Sequence, residues 1–181
     1  MIKFECKNKM EDDMSIPVEI ERKYVIAKPD TELLAQLNGY TISEIEQTYL
    51  ASSAALTHRV RKRSYADRVS YTETKKVRID KMSVFEDERE ISESEYIELL
   101  KSKSEDSVTL RKTRRTFLYE GQIFEVDMYP EWQRTAILET ELASREAVVL
   151  FPDFIEVIAE VTGDKKYSNA AMSREFPKEL M

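Results

Sequence analysis

The chain has 181 residues, enough for one domain that buries a sizeable core without covalent staples. Its formal net charge of −7 argues against nonspecific nucleic-acid binding, which needs a basic footprint. One cysteine, one histidine and three glycines exclude an internal disulfide, a histidine-rich metal site and a glycine loop that cradles phosphate. No apolar run approaches the ~18 residues of a membrane span and no signal peptide is visible, so a cytoplasmic protein is expected. Charged residues make up 35% of the chain, and the 28 Lys and Arg among them are compatible with a local cationic site in an acidic protein.

Residues 1–15, with Cys6, are polar and aperiodic and read as a loose N-terminal extension, leaving 16–181 as the domain. Glu19 to Ile26 is β-branched and aromatic and predicts a strand that puts Glu19, Glu21 and Lys23 on one face. Asp30 reads as the cap of a helix through Leu33, Leu34 and Leu37 that ends at Gly39. Ile45–Leu50, Thr57–Arg63, Arg68–Val77 and Val84–Ile91 read as strands. The second places Arg59, Arg61 and Arg63 together, with His58 facing away, and the fourth groups Glu86, Glu88 and Glu90. Ser92 with Glu95 spells a capping box ahead of a helix carrying Tyr96, Leu99 and Leu100. Ser107–Tyr119 and Gln122–Tyr129 form a hairpin about Glu120-Gly121, followed by a strand over Thr135–Leu142. Ser144 predicts a short helix over Arg145–Phe151, ended by Pro152, and Ser168 caps another near the C-terminus. Trp132, in a turn after Pro130, reads as a packing or rim residue, and Met82 and Phe85 as a lid or a surface patch.

Four strands carry acidic pairs at i,i+2: Glu19/Glu21, Glu88/Glu90, Glu125/Asp127 and Glu139/Glu141. Two carry basic ones, Arg59/Arg61 and Lys112/Arg114. A solvated face of an antiparallel sheet explains any one pair. Sorting of like charge strand by strand favours an inward charged face, in a closed eight-stranded antiparallel β-barrel with peripheral helices, an α+β fold. Carboxylates gathered there suit hard divalent cations, Mg²⁺ or Mn²⁺, and the arginines and lysines suit phosphate. A polyphosphate bridging both satisfies both sets.

Glu19-Ile20-Glu21-Arg22-Lys23 resembles the ExExK signature of the CYTH domain, the triphosphate tunnel metalloenzymes. Six further elements follow in that family's order: Arg59-Val60-Arg61, a lysine ending the next strand, Glu88-Arg89-Glu90, Lys112-Thr113-Arg114, Glu125-Val126-Asp127 and Glu139-Thr140-Glu141. The stretch Glu160 to Asn169 completes it, so the resemblance spans about 16–176. It implies a tunnel in which triphosphate and metal meet. Members hydrolyse inorganic triphosphate, thiamine triphosphate or RNA 5′-triphosphate, or cyclise ATP. The resemblance implies metal ligation by Glu19, Glu21, Glu139 and Glu141, with Asp127 joining the metal or orienting water. Glu19, Glu21, Asp127 and Glu141 become the expected catalytic group, supported from behind by Glu88, Glu90 and Glu125. Phosphate would be held by Lys23, Arg59, Arg61, Lys75, Lys112, Arg114 and Lys166.

Three departures bear on substrate. Thr72-Glu73-Thr74-Lys75-Lys76 leaves Lys75 and Lys76 both open, Phe85 stands where arginine is usual, and Thr140 replaces a small apolar residue. The expected activity is hydrolysis of a triphosphate, with inorganic triphosphate first because no aromatic cluster flanks the basic strands. A class IV adenylate cyclase, a thiamine triphosphatase, a non-catalytic polyphosphate or nucleotide sensor, and a protein with a merely charged sheet remain alternatives. The expected partner is a small-molecule triphosphate. A homodimer stays open, and neither nucleic acid nor membrane is expected.

Overall fold

The computed structural model describes residues 18–53, 56–78 and 83–180, and of residues 18, 19, 78 and 83–85 the backbone alone. The expected extension at 1–15, with Cys6, and Met82 lie outside the described residues, as does the side chain of Phe85. Among the described residues nine strands form one antiparallel sheet. They are β1 (Val18–Ala27), β2 (Asn38–Tyr49), β3 (Thr57–Ser64), β4 (Val69–Arg78), β5 (Ser83–Glu90), β6 (Leu110–Tyr119), β7 (Gln122–Met128), β8 (Thr135–Glu141) and β9 (Val157–Glu160). Their order is β5-β4-β3-β2-β6-β7-β8-β1-β9. Among the described residues helices are few: α1 (Thr31–Leu34), α2 (Glu93–Leu100) and α3 (Asn169–Met172), with a 3₁₀ turn at Lys165–Tyr167. Among the described residues no helix is long and apolar enough to cross a membrane.

The sheet curls until β1 meets β5, but it is not the closed eight-stranded barrel expected from the charge pattern. That contact is confined to three residue pairs, Val18↔Phe85, Glu19↔Val84 and Ile20↔Ser83. Farther along, β9 takes the same edge of β1, pairing Tyr24 with Glu160 and Val25 with Ala159. One edge cannot serve two partners at once, so the β1–β5 seam stops short and a ninth strand ends the sheet.

Parity sorts the core. Tyr24 and Ile26 of β1, Phe117 of β6, Phe124 and Val126 of β7, and Leu138 of β8 point to the convex side, where they pack with Leu34 and Ile155. Phe117 and Phe124 stack at 5.3 Å between ring centroids. Each fully buried ring of this kind stabilises the fold by about 1.5–3 kcal/mol. A second convex cluster sets Val60 of β3 against Leu50, Ile91 and Tyr96 of α2, a helix started by the Ser92–Glu95 capping box. On the concave side one end is apolar. Val25, Leu110, Tyr129 and Ile137 meet Val161, Tyr167 and Met172 from the C-terminal segment there. Trp132 belongs to this plug. It is buried and donates from Nε1 to the Pro177 carbonyl at 2.9 Å, which makes it the packing residue expected.

Two helices differ from expectation. The first is a single turn, Thr31–Leu34, capped by Asp30; Gly39, at φ +66°, lies inside β2 near a register shift. No helix forms over Arg145–Phe151. The Gln122 side chain instead bonds the backbone of that stretch, donating to the Val148 carbonyl and accepting from the Leu150 N–H. A side chain bridging residues two apart holds an extended segment, which removes the helix.

Candidate active site

Register carries one parity around the whole sheet. Arg59 lies opposite Tyr49 and Thr74, and Arg61 opposite Gln47 and Thr72. Arg114 lies opposite Asp127, Glu125 opposite Glu139, Lys23 opposite Glu139, and Glu21 opposite Glu141. Charged residues that alternate in sequence thus meet on the concave face. They line a cavity of about 580 Å³ whose walls include Glu21, Lys23, Arg59, Arg61, Arg114, Glu125, Glu139 and Glu141.

The cavity has a floor in which charge is compensated. Asp127 is fully buried. It accepts two bonds from Arg114, at 2.6 Å from Nε and 2.6 Å from Nη2, and a third from the Lys112 ammonium. Arg114 also donates to Glu139 at 2.8 Å and to Glu125. Lys23 Nζ meets Glu139 at 2.7 Å and the Tyr167 carbonyl at 3.4 Å. Burial alone would push both acids up. Arg114 and Lys112 outweigh it at Asp127, as Lys23 and Arg114 do at Glu139, and both carboxyls are held below their usual range. Burial likewise opposes the Lys23 charge, but Glu139 and Glu21 raise its pKa above the ordinary lysine value. Lys112 goes the other way, down to about 8, because burial and the nearby Arg114 outweigh Asp127.

The rim is different. Glu141 is exposed at the end of β8, and among the described residues no cation bonds it. Partial burial and the carboxylates of Glu125, Glu21 and Glu86 push its pKa up. Opposite stands a cationic wall. Arg59 reaches Glu86 at 3.2 Å and Arg61 reaches Glu88 only at 3.8 Å. The Nε groups of both arginines are buried without a hydrogen-bond partner among the described residues. Burial, with Arg59 and Arg114 alongside, lowers the Arg61 pKa to about 10. Unmet buried donors and crowded positive charge together call for an anion.

Several expected site residues are placed elsewhere. Asp127 has both oxygens engaged by Arg114 and Lys112 beneath the cavity, so it orients those cations. Lys112 lies beneath the cavity wall, bonded to Asp127 and to Asn169 Oδ1 at 3.5 Å. Lys75 lies on the convex face, 3.7 Å from Glu73, opposite His58. Lys76, opposite Thr57 and Glu86, lines the cavity instead. Lys166 is exposed, while its neighbour Lys165 lines the cavity. The 3₁₀ turn there, capped by Asp164, sends adjacent side chains in different directions. Glu88, by contrast, lines the cavity and accepts from Thr74 at 2.6 Å, while Glu90 is exposed opposite Thr72. The side chain of Glu19 lies outside the description. His58 faces the convex side as expected, 2.7 Å from Glu73.

Sequence reasoning missed Tyr49, Lys165 and Asn169. Tyr49 was legible in principle, since it is two residues from Gln47 and directly opposite Arg59. Among the described residues Tyr49 is also the one aromatic on the cavity wall. Its hydroxyl oxygen accepts from Gln47 Nε2 at 2.6 Å. Among the described residues no three acidic, histidine or cysteine side chains converge closely enough to hold a metal by themselves. The donors present fit a hard cation in a looser way. Glu21 and Glu141 oppose each other in register, and Mg²⁺ commonly takes one or two carboxylates with phosphate oxygens and water completing its shell.

The fold is of the CYTH type, in line with the resemblance read from the motifs. The chain is similar to the inorganic triphosphatase NE1496, with a TM-score of 0.57 and 26% identity over 88% of this chain and 97% of that one. It is similar in fold to the PH1819 protein from Pyrococcus horikoshii OT3, with a TM-score of 0.55 and 22% identity over 70% and 80% of the two chains. A third likeness is to HpAC1 from Hippeastrum, a candidate adenylyl cyclase with a dominant triphosphatase activity, at a TM-score of 0.52 and 18% identity over 71% and 81%. No protein-family model matches the chain, and no curated protein matches it in sequence.

Proposed function

We propose that the protein hydrolyses inorganic triphosphate with the help of a divalent cation, Mg²⁺ or Mn²⁺. The observation that carries this reading is the pairing of two unmet needs in one cavity. Among the described residues the buried Nε donors of Arg59 and Arg61 have no acceptor, and no cation bonds Glu141, whose surrounding carboxylates outweigh the more distant Lys76. A triphosphate accepts from the first pair, and a cation travelling with it relieves the second. Arg59, Arg61 and Lys76 would bind the phosphate oxygens, while Arg114, held rigid by Asp127, presents a fixed positive charge at the floor. Preoriented charge of this kind stabilises negative charge that develops on the transferred phosphoryl oxygens. The cation, held by Glu21 and Glu141, would supply charge neutralisation and activation of the attacking water. Water adds to a terminal phosphorus, the bridging P–O bond breaks, and phosphate and pyrophosphate leave.

Among the described residues Tyr49 is alone among aromatics on the cavity wall, and none of them builds a stacked platform for a base or a thiazolium ring. Specificity needs groups that favour one ligand over another, and an organic moiety finds few of them. The test is a phosphate-release panel with Mg²⁺ and with Mn²⁺ over inorganic triphosphate, pyrophosphate, ATP, GTP and thiamine triphosphate. Inorganic triphosphate is expected to have the highest kcat/KM. A value for ATP or thiamine triphosphate about tenfold above it, or cyclic AMP formed from ATP, would overturn the substrate. Tight binding with no phosphate released would leave a sensor.

A further inference from the structure

The motif resemblance gives Lys112 a phosphate to hold, but the structure turns its ammonium away. Lys112 is 2% exposed and bonds Asp127 and, at 3.5 Å, Asn169 Oδ1. Asn169, the first residue of α3, lines the cavity, and Lys112 does not. The side chain that meets the cavity at this point of the wall is therefore a neutral amide with a cation behind it.

The neighbours of Asn169 settle which way that amide faces. An ammonium only donates, so the oxygen edge is the one turned to Lys112. The Tyr129 hydroxyl donates to the same oxygen at 2.8 Å. Tyr129 is buried as well, and its ring centroid lies 5.7 Å from the Lys112 ammonium. With Oδ1 held from behind by two donors, Nδ2 is the edge left to the cavity. Among the described residues no acceptor meets it, although Asn169 is only half-buried and its Nδ2 is open to a ligand. Two donors on the oxygen, one of them charged, also polarise the amide and strengthen its N–H groups as donors. Arg114, which shares Asp127 with Lys112, lines the same cavity. A ligand there meets a charged donor and a neutral one together.

We propose that Asn169, in place of Lys112, makes the phosphate contact at this point, its Nδ2 donating to a phosphate oxygen. The inference rests on the triphosphate reading above, since it assigns one donor of that site. Its test follows the Asn169 side-chain amide by proton–nitrogen NMR of the full chain, assigned by its absence from Asn169→Asp, as inorganic triphosphate is added without metal. Calorimetry on the same samples reports whether the anion binds. The amide protons should move downfield as the anion saturates the protein. Phosphate release with Mg²⁺ gives a second reading. Asn169→Ala should lose about tenfold in kcat/KM, the scale of one hydrogen bond to a charged group. Asn169→Asp should lose more, although it keeps an oxygen toward Lys112 and Tyr129; circular dichroism checks that both variants fold. A side chain that only packed against Lys112 would leave the aspartate variant active. Amide protons that stay in place while calorimetry shows triphosphate bound overturn the assignment alone, as does unaltered kcat/KM in either variant. No binding of triphosphate overturns the triphosphate reading with it.

Discussion

Asp127 and Glu141 lie on neighbouring strands of one concave face, in opposite surroundings. Asp127 is sealed beneath the cavity, and three cationic hydrogen bonds engage both its oxygens. Glu141 stands at the rim among Glu125, Glu21 and Glu86. The first carboxylate is satisfied by the fold, and the second is made uncomfortable by it. Two acids in similar sequence pairs thus do different work. Asp127 aims Arg114, and Glu141 is left in want of a cation.

The largest expected effect is on stability at the floor. Asp127→Asn takes from Lys112 its buried counter-charge and leaves Arg114 only Glu139 and Glu125, and should cost about 3–5 kcal/mol, read from urea unfolding. Glu141→Gln removes repulsion, so its unfolding midpoint should match or exceed that of the unaltered chain. Equal losses in the two variants would erase the distinction between floor and rim.

Acid sharpens the same contrast. Asp127 and Glu139 have folded-state pKa values below the usual carboxylate range, so their stabilisation is complete above that range and is lost as pH falls through the lowered values. Glu141 has the opposite sign. Its charge costs stability above its raised pKa, and that cost disappears as pH falls through it. Acid unfolding of Asp127→Asn should therefore be flatter than that of the unaltered protein.

A middle-sized effect separates two adjacent lysines. Lys76→Ala should raise KM for inorganic triphosphate by about tenfold, the loss of one charged contact. Lys75→Ala, on the convex face, should change KM by less than about twofold. Equal effects would mean that β4 sits in the other register. The smallest effect is a titration. Glu21→Gln removes one of the like charges beside Glu141, so the carboxyl resonance of Glu141 should titrate at lower pH in that variant.

Much of this was legible because strand parity is a local property. Glu21, Lys23, Arg59, Arg61, Arg114, Glu125, Glu139 and Glu141 share a face by spacing alone, and the structure brings them together. What spacing does not carry is occupancy. Asp127 and Glu141 follow the same i,i+2 rule. Only the β6–β7 register, which sets Arg114 against Asp127, decides that one is consumed. The choice between Lys75 and Lys76 likewise needs the partner strand, since Arg59 opposite Thr74 fixes which face is inward. Lys165 and Lys166 depend on a 3₁₀ turn that follows no strand or helix period. The incomplete closure escaped for a related reason. Short, half-exposed β9 carries little pattern of its own, yet it takes the edge of β1 that a full seam would need.

The measurement that bears most directly on the account is phosphate release from inorganic triphosphate by Glu141→Gln, titrated with Mg²⁺. The account predicts a protein that melts as the unaltered chain does but turns over about 100-fold more slowly, the scale of losing one electrostatic group at a reacting centre. Unaltered turnover with an unaltered Mg²⁺ requirement would contradict it, because the rim carboxylate would then have no part in the chemistry.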